Sequence, residues 1–338
     1  MTTQQNQSNV IKGILISFLA PMENHISNGG EKLLGNASSI KRRPDEKVYI
    51  SGQMVRHSLF STMERMNESD ASKGPTYVSN GDGISNAIEV DLRADLGGFM
   101  HPSAGNYSGR RISPVSVTPA VAINKSDVGS DLLIRLKLDT DEKSRDQALA
   151  TKEYSQKDIM QFNLHLDISN LSLSRKFTYE KKDGIEGVHI QTECVKHVTE
   201  NERKRRAILF LKSAVSMNDF AQQARNFASA EPSQILIVFD SVLSRKASRY
   251  FSSNEIERKN ILSELDSRNA FYFLGDDSTT ESVRMALDKA SRKLNELNLF
   301  DPAGGDENIQ KFADAFQKSS STSSGEDPKK SSKKEKTK

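Results

Sequence analysis

The side chains best placed to do chemistry are cations gathered near position 50. Lys41, Arg42, Arg43 and Lys47 precede the stretch Tyr49-Ile-Ser-Gly-Gln-Met-Val-Arg56. That stretch reads as a strand end, a tight glycine turn and a helix start. Ser51 has the side chain of an N-cap, and Gly52 lets another backbone come close. The first N–H groups of a helix have no partner within it, so they offer a seat for phosphate, with Ser51, Gln53 and Arg56 around it. An ordinary capped helix beside a solvated basic loop explains the same residues. Salt-dependent, sequence-independent affinity for a phosphate chain separates the two.

Three more clusters carry the same kind of ambiguity. Asp95-Leu-Gly-Gly-Phe-Met100 sets Gly97 and Gly98 beside two bulky apolar residues in a polar region. It is a turn packed on the core, or a backbone that approaches phosphates. Arg110 and Arg111 directly precede a strand. Residues 170–199 interleave Arg175, Lys176, Lys181, Lys182 and Lys196 with Phe177 and Tyr179. Cations hold a phosphate chain and aromatics wedge between bases, although an ordinary exposed hairpin has that composition too.

Nothing in the sequence points to catalysis, and neither a cofactor nor a metal is expected. The six histidines, at 25, 57, 101, 165, 189 and 197, form no HExxH or His/Cys group. Asp91 and Asp95 have helical spacing, but their Gly-rich surroundings do not suit a paired acid site. Ser51-Gly-Gln lacks the flanking glycines of a nucleophile elbow. No glycine stretch ends in GK[ST].

These groups need elements to hold them. Residues 11–19 read as a buried strand and 54–65 as an amphipathic helix with Met54, Val55, Leu59 and Met63 inward. Residues 67–110 are rich in Gly, Ser, Asn and Asp, the mark of a functional insertion. Residues 115–123 and 131–138 are β-like. Residues 158–168 read as a half-buried strand carrying Ile159, Phe162, Leu164, Leu166 and Ile168. Lys181-Lys-Asp-Gly184 is the turn of a hairpin. Residues 200–227 read as helical, 234–240 as a buried strand, 255–266 as a helix, 270–274 as a short strand and 279–298 as a long helix. Such a mixture, with first and later strands far apart, gives an α+β fold with large insertions.

The 338 residues are 35% hydrophobic and 28% charged, ample for a core. No apolar run is long enough to span a membrane. One cysteine, Cys194, excludes a disulfide within the chain and fits a cytoplasmic protein. The net charge of +3 is uneven: residues 329–338 hold six Lys and one Glu, so the rest carries −2. Affinity for nucleic acid must therefore come from local patches. Residues 1–8 and 318–338 read as disordered; the Lys-rich tail adds nonspecific affinity for nucleic acid or solubility.

The order of these features resembles the DevR-like backbone subunits of type I CRISPR effector (Cascade) complexes. The likeness runs from Ile11-Lys-Gly-Ile-Leu-Ile-Ser-Phe-Leu19 and the loop Glu23–Gly30 through Ser51–Arg56, Asp95–Met100 and Arg110–Ala122. It continues through Phe162–Ile168, the basic insertion and Glu202-Arg-Lys-Arg-Arg206, and is nearest to types I-B and I-A. The resemblance implies an RRM-like (ferredoxin-like) palm over residues 9–317. Fingers would be inserted at about 67–157 and a thumb at about 170–199. It implies a non-catalytic protein that binds crRNA, polymerises along it and supports R-loop formation with target DNA. Further copies of itself, a large subunit, a crRNA 5'-end-capping subunit and a repeat-processing endonuclease would be its partners, and no membrane. It places Lys41, Arg42, Arg43, Ser51, Gln53, Arg56, Gly97, Gly98, Arg110 and Arg111 at RNA, the last two alternatively at a neighbouring subunit. Phe99 or Met100 would meet a displaced base or a neighbouring thumb. Arg175, Lys176, Phe177, Tyr179, Lys181 and Lys182 would form the thumb that crosses the heteroduplex. Two other readings stand beside it: an RNA-cutting subunit of type III-like complexes, for which no Asp matches, and a general single-strand RNA binder, for which no RNP1 pattern is present.

Overall fold

Strand β1, Gly13–His25, is apolar on both faces because both faces are covered. The computed structural model describes residues 10–29, 31–32, 38–81, 85–99, 107–138 and 145–316. Met100, His101 and the two ends expected to be disordered lie outside them. After β1 come α1 (Gly52–Glu68), α2 (Leu92–Gly97) and β2 (Tyr107–Arg110). The chain continues through β3 (Val115–Val117), β4 (Ala120–Ala122), β5 (Val128–Leu138) and β6 (Arg145–Asp167). Then follow β7 (Leu173–Lys182), β8 (Ile185–Lys196), α3 (Glu200–Ala214), β9 (Gln234–Asp240), α4 (Glu255–Ser267), β10 (Phe271–Asp276) and α5 (Val283–Glu296).

The main sheet runs β10-β9-β1-β6, with antiparallel neighbours throughout, and β6 also pairs with β3, β4 and β5. Its main core lies on one face, where Ile14, Ile16, Phe18, Met160, Phe162 and Leu164 meet side chains of α1, α3 and α5. Phe18 stacks on Phe162 with ring centroids 4.9 Å apart. On the other face Leu15, Leu19, Leu236 and Val238 lie under Ala247, Phe251, Ile261 and Leu265. This two-sided cover explains why β1 and β9 are continuous apolar runs rather than alternating ones.

Capping fixes several boundaries. Ser51 accepts from the Met54 N–H at 3.2 Å, and Asn254 and Glu257 form a capping box on α4. α5 starts at its Ser282 cap rather than at 279, because Asp276 holds Ser278 and Asp277 accepts from Val283 N–H in a preceding turn. The helix expected over 200–227 stops at Ala214. The loop after it turns back, with Ala221 N–H donating to Ser27 C=O and with Gln222 and Phe227 at φ of 64° and 47°. On β6 it is Met160, not Ile159, that faces the main core; Ile159 is on the opposite side, 39% exposed.

β7 and β8 form a hairpin whose turn, Asp183-Gly184, has positive φ at both residues, 52° and 83°. β2 pairs along β7, so the insertion is a three-stranded sheet. Its root is core: Leu171, Ser172, Leu173, Ser174, Val195, Lys196, His197 and Val198 are all buried.

Candidate nucleic-acid interface

The cations near position 50 do not form one site around the N-terminus of α1. They divide between two clefts beside it.

The first cleft, about 890 Å³, is lined by Arg42, Arg43, Lys47 and Tyr49 on one wall. Thr118, Pro119 and Val121 form the other side, with Gln161 and Asn163 of β6 and Phe251 completing it. Arg43 N–H donates to Lys47 C=O, and the Arg42–Val48 bridge closes this small basic turn. Arg42 reaches Glu153 at 3.5 Å between half-exposed groups, a weak restraint. Lys41 is half-buried just outside the lining; its C=O accepts from Tyr49 N–H.

The second cleft, about 370 Å³, brings together Gln53, Arg56, Gly97 and Gly98, four of the residues singled out above. His57, Phe60, Ser79, Gly81, Ser85, Arg93, Ala94 and Phe99 also line it, with no carboxylate among the described residues of the lining. Arg56 donates to Ser113 Oγ at 3.0 Å, to Val115 C=O at 3.4 Å and to Gly97 C=O. All three acceptors are neutral. Arg56 and Arg93 lie over the same ring, Phe60, at 5.4 and 5.0 Å from its centroid. Among the described residues neither guanidinium has a carboxylate within 4 Å. Burial holds the Arg56 pKa below its usual value, and the neighbouring Arg93 charge adds to that. Burial lowers Arg93 as well, against Asp91 and Glu64. Two half-buried cations side by side attract an anion.

Both glycines sit where the chain closes tightly on itself, the first of the two readings the sequence offered. A Cβ on Gly98, at φ 65°, would stand 2.6 Å from Ser113 N and 2.9 Å from Arg111 C=O. A Cβ on Gly97 would stand 3.0 Å from Arg56 Nη2. Gly98 lets the end of α2 close onto the chain's own residues 111–113, and Gly97 lets the Arg56 guanidinium lie against it. Phe99 is half-buried: it lines the cleft, while its ring packs edge-on to Phe312 at 5.1 Å and its N–H donates to Arg111 C=O.

Arg111 also departs from its expected surface position. It is 4% exposed and ion-paired to Asp95, and it donates to the C=O groups of Asn170 and Leu173 at 2.7 and 2.8 Å. The backbone of Arg110 is in β2, opposite Arg175. On β7, Arg175, Phe177 and Tyr179 share one face and Lys176 the other, by strand alternation, before an irregular register around Lys181 and Lys182. Phe177 and Tyr179 flank His189 at 6.1 and 5.9 Å. A basic and aromatic face is thus assembled, apart from both clefts.

Two features escaped the sequence reading. Arg93 was legible in principle: Asp91-Leu-Arg-Ala-Asp95 is a cap followed by one helical turn, and Asp91 does cap α2 at Arg93 N–H, 2.9 Å. The second is a buried Ser126–Asp158–His25 chain, with His25 Nε2 2.8 Å from Asp158 and Ser126 Oγ donating to the other carboxylate oxygen. The carboxylate stands between serine and histidine, so the base does not touch the hydroxyl and the geometry of nucleophile activation is missing. Among the described residues no three His, Cys, Asp or Glu side chains are grouped to hold a metal, and no helix is long and apolar enough to cross a membrane.

The model of the family described as CRISPR-associated negative auto-regulator DevR/Csa2 matches residues 32–241. A chain of a solved CRISPR RNA-guided surveillance complex superposes with a TM-score of 0.50 at 13% identity, covering 84% of this chain and 97% of that one. A second, from a CRISPR RNA-guided surveillance complex in a pre-nicking state, gives 0.51 at 12% identity, covering 83% and 99%. Among curated proteins none matches the sequence.

Proposed function

The chain belongs to the DevR/Csa2 family of CRISPR-associated proteins, and on that premise we propose that it is a non-catalytic backbone subunit that binds guide RNA. In this reading the β10-β9-β1-β6 sheet with α1 and α3 is an RRM-like palm, the β5–β6 extension belongs to the fingers, and the β7–β8 hairpin is the thumb. The observation that carries it is the second cleft: two guanidiniums with no carboxylate of the described residues within 4 Å, held by a short helix and a glycine pair. Such a site takes a phosphate regardless of the base attached to it. Arg42, Arg43 and Lys47 would hold a neighbouring stretch of the same strand, and Phe177 and Tyr179 would meet bases where the hairpin crosses. Sequence is then read by the guide's own pairing with target DNA, while the protein reads backbone and shape. Further copies of this chain and the other Cascade subunits are the implied partners.

The test is size analysis of purified protein on RNAs of increasing length. The mass should grow in steps as the RNA lengthens, one copy per added repeat of nucleotides. A single copy on every length would overturn the backbone reading.

A further inference from the structure

The Asp95 carboxylate is 0% exposed, and a charge so placed costs several kcal/mol unless it is fully paired. It is paired, by groups from three other parts of the chain. Arg206 Nη1 of α3 donates at 2.6 Å, Ser172 at the root of the hairpin donates its N–H at 2.8 Å and its Oγ at 2.6 Å, and Arg111 completes the set. Ser172 takes φ 57° to present both donors. Arg111 goes on to the C=O groups of Asn170 and Leu173, and Arg206 to those of Ile88 and Glu89, each at 2.7–2.8 Å. Asp95 itself is on α2, two residues after Arg93 and two before Gly97. The wall of the second cleft and the root of the hairpin are therefore tied to one carboxylate.

We propose that Asp95 is a positioning residue that locks the hairpin root to the Arg56–Arg93 cleft, so that a phosphate chain seated in the cleft also orders the hairpin. This rests on the cleft being a phosphate site. An anion there restrains α2. The four donors transmit that restraint to residues 170–175, because a buried ion cluster has few alternative arrangements that keep every charge paired. A carboxylate needed for stability alone would protect both segments equally, with or without a ligand.

Hydrogen exchange on the full chain, with and without a 12-nucleotide oligouridylate, distinguishes these. In the natural protein the RNA should slow exchange both at 92–97 and at 170–175, by about tenfold at the latter, the size of a typical coupling. In Asp95→Asn it should slow 92–97 but leave 170–175 nearly unchanged. Ser172→Ala keeps the charges paired and should give an intermediate rise; it carries the test if Asp95→Asn does not fold. A rise at 170–175 in either variant equal to the natural one overturns the proposal, as does protection of 92–97 alone in the natural protein. If oligouridylate binds without protecting 92–97, or does not bind, the cleft reading itself falls and this inference with it.

Discussion

Arg56 spends its hydrogen bonds on neutral oxygens, which leaves its charge to be met from outside. Arg56→Ala should weaken RNA binding roughly tenfold, the scale of one charge-assisted hydrogen bond. The loss should be alike for unrelated sequences, with a log–log salt slope lower by about one per lost phosphate contact. Arg93→Ala removes charge without the bonds to residues 97–115 and should show the same pattern. Filter-binding titrations at several salt concentrations check both, and a sequence-selective loss would count against phosphate contact. His165 offers a pH test of the core. Burial, with Arg245 adding and Asp167 opposing, lowers its pKa to about 4. The unfolded chain binds a proton near pH 6.5 that the folded chain refuses, so stability should fall as pH drops from 6.5 towards 4. His197, also lowered to about 4 by burial, adds to the trend. The slope of unfolding free energy with pH across that window, from urea titrations, should flatten in His165→Gln by about 1.4 kcal/mol per pH unit, one proton's worth.

At the scale of elements, the hairpin's far half and its root should behave differently. Residues 175–194 are mostly exposed or half-buried, whereas 171–174 and 195–198 are core. Replacing Lys176–Glu193 with a short Gly/Ser linker should leave a cooperatively folding protein that assembles poorly on RNA. Extending the deletion to Leu171 and Val198 should abolish cooperative unfolding, since it removes Ser172 from Asp95 and the Leu171 C=O from Arg203. Circular dichroism melts of the two deletions decide this. The hairpin was readable because its turn is local: Asp-Gly takes the two positive φ values that such turns need. β1, β9, α1 and α4 were readable from apolar runs, period and caps. What could not be read lies in contacts between distant segments. Residues 145–155 are mostly polar in sequence, yet they continue β6 because β5 pairs with them. Residues 215–222 look helical but loop back, with Ala221 N–H on Ser27 C=O, before one short helical turn at Gln223–Asn226. Ser172 meets Asp95 across 77 positions, and no local pattern announces that. Of the expected site, Gln53, Arg56, Gly97 and Gly98 do converge, while Arg111 is drawn inside by the same carboxylate.

For the whole molecule, the charge that matters is local. Ending the chain at residue 328 removes six Lys and one Glu and changes the formal net charge from +3 to −2. If the clefts carry the affinity, the shortened protein still climbs the same RNA-length ladder, with a shallower salt slope. Loss of binding in native gels would move the site to the tail.

β6 has a mechanical consequence. It is one unbroken strand of 23 residues, roughly 75 Å at the usual rise. Residues 155–167 lie along β1, and residues 145–155 lie along β5. A load applied at the far end of the β5–β6 hairpin would peel its hydrogen bonds one pair at a time, as a zipper opens. The same load passed along β6 would pull the palm portion in shear, where the twelve register pairs with β1 must yield together. Residues 145–155 of β6 should therefore part from β5 under a smaller load than residues 155–167 part from β1.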